Sequence, residues 1–423
     1  MNRFLDLFRI KELRNKVLIV LGLLVAFRIL AAIPIPGVDP ARLAQFLNSS
    51  QLFGFLNLFS GGGLTNLSLA MLGVGPYITA TIIMQLLTII FPRMKQLYYE
   101  EGARGQAKFN QYSRLLTVPL AFLQAYGFLN LLVAQGALSR PSTLGLITNI
   151  LAVTAGSMLA LWFGELISEQ KVGNGISLII LAGIVSRLPT DLKVLVATYT
   201  PAMLPAYIGF AILAVAITAA VVFLNEGERK IPIAYARRIR GNKMYGGSSS
   251  YLPLKVNQAG MIPLIFAVSV LLFPQFFAQL VAVISPGVGL KLQQAISTFL
   301  ANQFFYGALY FVLVVAFTFF YSAITFNPEE VSKNLQRSGG FVTGIRPGEA
   351  TATFFKRLLS RVNLSGAVFL GLIAVLPIAI QKATGSQALQ ISGTALLIVV
   401  AVVLETMRQV DSQLTIRGYE SLE

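Results

Sequence analysis

The chain alternates long apolar runs with short polar or basic connections, and the apolar runs have membrane-crossing length. From Phe53 to Pro92 there are 40 residues without a charged side chain. One spanning helix needs only ~20 apolar residues, so this stretch holds nearly two spans' worth. Three consecutive glycines, Gly61 to Gly63, cut it, and Gly73, Gly75 and Pro76 cut it again. Irregular backbone at membrane depth leaves N–H and C=O groups unpaired, which costs several kcal/mol each. It survives only where protein buries it or a water-filled cavity faces it. The segment therefore predicts a cavity inside a membrane protein, lined by a half-helix and the full helix that follows.

Further apolar runs of ~17–25 residues predict spans at roughly 17–33, 71–91, 115–136, 144–164, 174–188, 202–224, 259–284, 304–326, 364–380 and 391–407. The first run is too long for the ~7–15-residue apolar core of a signal peptide and reads as a retained helix. Charge orients the bundle. Of the Lys and Arg, 26 fall on the side of the N-terminal tail and the 2–3, 4–5, 6–7 and 8–9 loops, and six on the other side. By the positive-inside rule both termini are cytoplasmic. Arg28 stands inside span 1, within snorkelling reach of the outer interface, and reads as a packing or anchoring arginine. Ten spans divide into two halves of five, and an odd number makes any kinship between them inverted. The connection from Pro189 to Pro205 reads as an external hinge or a plain loop.

Composition narrows the chemistry. The chain is 55% hydrophobic and 12% charged, against ~25% charged for a soluble domain. It has no cysteine and no histidine, which removes disulfides, thiolate nucleophiles and the commonest general base and metal ligands. The only acids near span depth, Glu165 and Glu405, stand at the cytoplasmic ends of their helices. An ion-coupled carrier is weakened by the missing interior carboxylate, and intramembrane proteolysis has no residues to build it. No catalytic residue, cofactor or metal is expected.

Aliphatic residues recur at helical spacing: Val74, Ile78 and Ile82 just after the glycine break, and Ile176 and Ile180 on the short fifth span. Ordinary packing explains such rows, and so does a constriction that blocks ions by dewetting. Ala152, Gly156 and Ala160 form a small-residue stripe expected to admit another helix. Two cytoplasmic loops are too patterned for simple connectors. In the first, Ile231, Ile233 and Tyr235 alternate, Gly241-Asn242 supplies a turn and Tyr245 lies on the return strand; the tip carries Arg237, Arg238, Arg240 and Lys243. In the second, Asn327 caps a helix with Pro328 at its first position and Glu329 and Glu330 in its first turn, and Arg346 sits before Pro347 in an extended stretch. An amphipathic helix through Phe354, Phe355, Leu358, Leu359 and Val362 then leads into span 9. Two basic, structured loops on one face suit a large anionic or acidic partner such as ribosomal RNA.

Stretches along the whole chain carry a resemblance: FRILAAIPIPGVD at 27–39, LFSGGGL at 58–64, PYITATIIMQLL at 76–87, EEGARGQAKFNQYSRLLT at 100–117, VGNGISLIILAGIV at 172–185, SSSYLPLKVNQAGMIPLIF at 248–266, FNPEEVSKNLQRSGGFVTGIRPGEAT at 326–351 and GTALLIVVAVVLETMRQV at 393–410. On these the chain resembles the bacterial SecY family, the central subunit of the protein-translocation channel. The resemblance implies an all-α polytopic fold of ten helices in two inverted five-helix halves with a re-entrant plug. The halves would be 1–188, with the plug at about 55–72, and 202–423, with cytoplasmic loops at about 225–258 and 327–363, joined by the external hinge loop 189–201.

By the same resemblance, Phe59, Ser60, Gly61, Gly62, Gly63, Leu64 and Asn66 belong to the plug. Val74, Ile78, Ile176, Ile180, Ile265 and Ile398 match the apolar pore ring. Thr81, Gln85, Gln124, Ser269 and Phe273 would line a lateral gate that meets signal peptides. Arg346 would engage the SecA ATPase, and with Arg237, Arg238, Arg240 and Lys243 would dock SecA or the ribosome, through ribosomal RNA and exit-tunnel proteins. SecE and SecG are expected partners, with nascent chains and membrane lipids including anionic lipids, in the bacterial cytoplasmic (inner) membrane. Where the family often pairs basic residues at the hairpin tip, Gly241-Asn242-Lys243 offers one. No nucleotide-binding GxxxxGK[ST] motif is present, so a motor or the ribosome would supply the energy. A secondary transporter and a non-conducting scaffold are the rival readings.

Overall fold

The computed structural model describes residues 10–37, 60–64, 66–99, 101–134, 136, 138–139, 141–197, 200–201, 204–235, 238–240, 243–245, 249–384 and 387–420. In chain order the helices are α1 (Lys11–Leu30), α2 (Gly75–Ile90), α3 (Pro92–Tyr99), α4 (Gly102–Ala134), α5 (Thr143–Glu169), α6 (Gly175–Ala197) and α7 (Leu204–Glu226). Four strands follow: β1 (Glu228–Tyr235), β2 (Arg238–Arg240), β3 (Lys243–Tyr245) and β4 (Ser249–Lys255). Then come α8 (Ile262–Ile284), α9 (Pro286–Ala301), α10 (Gln303–Thr325), α11 (Pro328–Arg337), β5 (Gly340–Val342), α12 (Glu349–Thr384) and α13 (Gln387–Glu420). Among the described residues five helices are long and apolar enough to cross a membrane, by length and composition; the pair α2 and α3, bent by 114°, is a broken span or a re-entrant loop, and counted as one span would make a sixth. Gly175–Thr190 and Ile262–Gln275 are shorter apolar helices. Lys11–Leu30, whose apolar part was expected to span, is outside this set; it carries Arg14 and Lys16 near its start and Arg28 near its end.

Several helices run past their expected limits. α4 starts at Gly102 rather than near 115, so the basic residues Arg104, Lys108 and Arg114 ride on a helix. Its added turns are anchored by Phe109, which is buried and meets Tyr98 edge-on with ring centroids 4.7 Å apart. α6 continues through Pro189 to Ala197, so helix occupies most of what was expected to be the hinge loop 189–201. Proline fits helical φ and costs one backbone bond, and the residues after it are mostly competent helix formers. The expected amphipathic helix and span 9 are one helix, α12. The helix α9 was not foreseen.

Two compact units divide the chain: Met1–Gly209 with Val268–Asn302 and Ser386–Glu423, and Phe210–Ala267 with Gln303–Gly385. In the first, α1 packs on α5 and α6, α4 on α2, α3 and α5, and α13 on α6. Ser142 caps α5, its Oγ accepting from the Gly145 N–H at 3.2 Å, which satisfies one of the helix's orphan donors. A core of Ile35, Leu64, Leu67, Met71, Phe128, Leu132 and Val153 joins the glycine-cut segment to α4 and α5.

In the second unit, α10 packs along α12, and a three-stranded antiparallel sheet runs in the order β4-β1-β5. Ile231 pairs with Leu252, and Ile233 with Ser250 on one side and Val342 on the other. The expected alternation of β1 holds at Ile231 and Ile233, buried on either side of exposed Pro232, while Ala234 and Tyr235 are both half-buried. Its partner is β4, while β2 and β3 form a separate small hairpin in which Arg240 pairs with Lys243. The apolar face of the sheet closes on Phe355 and Leu358 of α12. After β4, the Asn257 amide donates to Asn225 Oδ1 at 2.9 Å and to the Gly260 carbonyl at 3.0 Å. Asn363 donates to Ser322 Oγ at 2.5 Å, and Ser322 to Gln258 Oε1 at 3.2 Å. These bonds give the polar end of the YLPLKVNQ stretch a structural reason.

Candidate functional site

Residues 60–64 and 66–74 belong to the first unit and form turns rather than helix. Ser60 opens a tight turn: its carbonyl accepts from Gly63 N–H at 3.3 Å and its Oγ from Leu64 N–H at 3.1 Å. Gly61 and Gly62 have φ of +64° and +82°, a region that L side chains disfavour and glycine enters freely. At Gly61 the approach to neighbours is also extreme. A Cβ there would lie 2.6 Å from Phe27 Cε1, and one on Gly183 of α6 would lie 2.1 Å from Gly61 Cα. The turn is thus seated backbone to backbone on α6 and against a ring of α1.

The rest of the segment is tied down by hydrogen bonds. Gly63 O accepts from both the N–H and the Oγ of Ser68, each at 2.9 Å. Ile35 N–H donates to Leu67 O at 2.9 Å, and Leu69 N–H to Ile33 O at 3.0 Å, forming a short antiparallel bridge about Pro34 and Ser68. Two prolines flank Ile35, so its N–H carries the bond that they lack donors to make. On α5, Ser157 Oγ donates to Gly73 O at 2.6 Å. A Cβ at Gly156 would fall 2.1 Å from Leu69 O. At Gly156 the small-residue stripe, expected to admit another helix, meets this irregular backbone, which presents main-chain atoms of Leu69 and Ala70 at the contact. Ser60 to Leu64 are all buried and Asn66 is exposed; Phe59 lies outside the described residues.

Arg28 has a definite partner. Its Nη1 donates to the Gly61 carbonyl at 2.7 Å. Sequence reasoning reached the packing role but not the partner, because nothing local marks a contact to a carbonyl 33 residues away.

Val74 and Ile78 lie at the start of α2, with Ile78 N–H donating to Val74 O at 3.1 Å. Both are buried, as are Ile180 on α6 and Ile398 on α13. Ile176, one turn before Ile180, packs over α5, where a Cβ on Gly164 would meet its Cγ1 at 3.3 Å. Ile265 is buried in the other unit. The expected gate residues Thr81 and Gln85 stand on α2 and Gln124 on the adjacent α4. Thr81 Oγ1 donates to the Tyr77 carbonyl at 2.9 Å. Gln85 and Gln124 are each only 8% exposed, and Gln85 Oε1 has no hydrogen-bond partner among the described residues. Ser269 and Phe273 follow one another by a turn on α8, and Phe273 is exposed. Glu165, expected to stay wet, forms an ion pair with Arg114 of α4. Among the described residues no cluster of acidic side chains could hold a metal.

The second unit carries the basic-loop features. β5 brings the loop after α11 onto β1, so one sheet joins the two basic loops that the sequence presents as separate. Asn327 caps α11 as expected, accepting from the Glu329 and Glu330 N–H groups at 3.1 and 3.5 Å. Arg346 is exposed on a loop bracketed by Gly344 and Gly348, with φ of +85° and +102°. That loop is pinned at three points. Ile345 N–H donates to Val342 O at 3.0 Å, Thr351 Oγ1 to Arg346 O at 2.8 Å and Ser332 Oγ to Gly348 O at 2.6 Å. Backbone of Arg238, Arg240 and Lys243 lies on the β2–β3 hairpin, while Arg237 lies outside the described residues.

A family model described as SecY matches residues 68–407. The chain belongs to the SecY family. It is 42% identical over 440 residues to the protein translocase subunit SecY of Mycobacterium leprae, covering 99% of each chain. To the protein translocase subunit SecY of Corynebacterium glutamicum it is 40% identical over 442 residues, covering 100% of each. Solved structures share the fold at 20% identity: one described as a protein-conducting channel has a TM-score of 0.64, covering 93% of this chain and 91% of that one. Another, of a SecY protein whose plug domain stabilises the closed state of the channel, has a TM-score of 0.63 with the same coverage. The SecY-family fold is a helical membrane fold, and the helices described above agree with it.

Proposed function

We propose that this chain is the protein-conducting subunit of a translocation channel in a bacterial cytoplasmic membrane, with both termini inside the cell. It passes unfolded secretory polypeptides across the membrane and releases apolar segments sideways into lipid. The observation that carries the reading is the 60–74 segment: uncharged, turned by glycines and seated by backbone contact on its own unit, directly before an aliphatic helix start. A channel for arbitrary polypeptides cannot rely on fixed polar ligands. A ring of Val74, Ile78, Ile176, Ile180, Ile265 and Ile398 seals around varied segments by excluding water while giving each little affinity. Ten spans in two inverted halves, 1–188 and 202–423, surround this ring.

The gate residues Thr81, Gln85, Gln124, Ser269 and Phe273 meet signal peptides, and a segment leaves for lipid according to its own apolar area. The joined cytoplasmic sheet and the pinned Arg346 loop are the docking face for the SecA motor or the ribosome. One relative of the fold is Sec61 in a canine ribosome-channel complex, with a TM-score of 0.61, which supports the ribosome as a partner here. SecE and SecG complete the assembly.

The test is reconstitution of the full chain with SecE, SecG and SecA in lipid vesicles. A precursor bearing a signal peptide becomes protease-protected on addition of ATP. Absence of protection, together with ion-gradient-driven uptake of a small solute, would favour the transporter reading instead.

A further inference from the structure

We propose that Arg28 is a hydration-released latch that holds the glycine turn 60–64 in its resting position. The inference rests on reading this segment as the plug. Downstream of the turn the segment is pinned by bonds that cannot follow a swinging motion: the Ile33–Ile35 bridge to Leu67 and Leu69, and Ser157 Oγ on the Gly73 carbonyl, one residue before the cap of α2. The turn itself is held differently. Its closest approach to α6 is glycine on glycine, Gly61 on Gly183, which excludes side chains.

Arg28 adds a charge-assisted bond to that packing, 2.7 Å from its Nη1 to Gly61 O. Gly62 is part of the same seat, since a Cβ there would lie 3.1 Å from that nitrogen. Left-handed φ at Gly61 and Gly62 shapes the turn that presents this carbonyl. A hydrogen bond to a charged donor is strong in a dry, low-dielectric site. When water reaches both partners the bond is exchanged for bonds to water and its net worth falls. The latch therefore holds while the seat is dry and lets go when an arriving polypeptide brings water to it. Leu67, at φ +41°, stands where the pinned part meets the turn, and a left-handed non-glycine residue marks a strained joint there.

The chain has no cysteine, so single reporters can be placed without background. The experiment uses the full chain in sealed membrane vesicles. Ser60→Cys reports the turn, and Thr318→Cys, buried in α10, reports general loosening. Each is treated with a membrane-impermeant thiol reagent in the absence of substrate. Arg28→Leu is expected to raise the Ser60→Cys labelling rate roughly tenfold, the equivalent of losing one charge-assisted bond, and to leave Thr318→Cys unchanged. Arg28→Lys, which keeps a donor and the charge, is expected to restore slow labelling. Unchanged Ser60→Cys labelling in Arg28→Leu overturns the latch, and so does a parallel rise at Thr318→Cys. Deletion of 59–66 separates the latch from the plug reading. If that deletion leaves ion leakage of resting vesicles unchanged, the plug reading fails whatever the labelling shows. If it makes them leak while Arg28→Leu labels slowly, the latch alone fails.

Discussion

Gly183 of α6 and Gly61 of the 60–64 turn meet backbone to backbone, so that a Cβ on Gly183 would fall 2.1 Å from the Gly61 Cα. The atom in the way is main chain, and no rotamer change can relieve it. Gly183→Ala must push the turn off its seat or strain α6, at a cost of about 1–3 kcal/mol for such overpacking. We expect resting vesicles carrying Gly183→Ala to leak small anions. Gly209→Ala, where nothing lies within 4 Å of the added Cβ, is expected to stay tight. Equal tightness of both variants would separate the glycine contact from sealing.

Ser157→Ala leaves the buried Gly73 carbonyl without its 2.6 Å partner. An unsatisfied buried acceptor costs about 1–3 kcal/mol, so the thermal midpoint of the purified chain in detergent should fall by several degrees. An unchanged midpoint would mean that the carbonyl finds another donor.

Ile78, Ile180 and Ile398 are all buried. Replacing the three together with glycine removes the aliphatic surface proposed to exclude water, and conductance of resting channels in planar bilayers should rise well above wild type. Conductance that stays at the wild-type level would remove these residues from the ring.

Arg346 is exposed, and its loop is held by Thr351 and Ser332 rather than by its own side chain. Arg346→Glu should leave stability within about 0.5 kcal/mol, as surface changes usually do, and abolish SecA-driven secretion. Ser332→Ala loosens the loop from behind, and should lower the rate of motor-driven transport without changing ion leakage. Normal secretion by Arg346→Glu would contradict the docking role.

How much of this could be read in advance follows from the range of each interaction. The glycine cuts at 61–63 and 73–75 and the Asn327-Pro328 helix start are local patterns, and each was legible from neighbouring residues; Gly241 and Asn242, expected to turn the hairpin, lie outside the described residues. The partner of Gly156 was not, because a small residue announces a close approach without saying whether helix or bare backbone makes it. Nor was the joining of β5 to β1, since three residues of strand far along the chain carry no register signal of their own. The extension of α6 past Pro189 was hidden by a residue that reads as a breaker yet fits a helix at the loss of one bond. Arg28 was visible as an oddity in an apolar run, and its carbonyl partner only through the fold.

The central claim is that a polypeptide passes between the start of α2 and the start of α6. The most direct measurement is crosslinking from Ile78→Cys and Ile180→Cys, in the cysteine-free chain, to a secretory precursor stalled part-way across the membrane. The account predicts adducts at both positions that appear only with the stalled precursor and disappear once it is released. Adducts at neither position, while the same precursor is protected from protease on the far side, would contradict it.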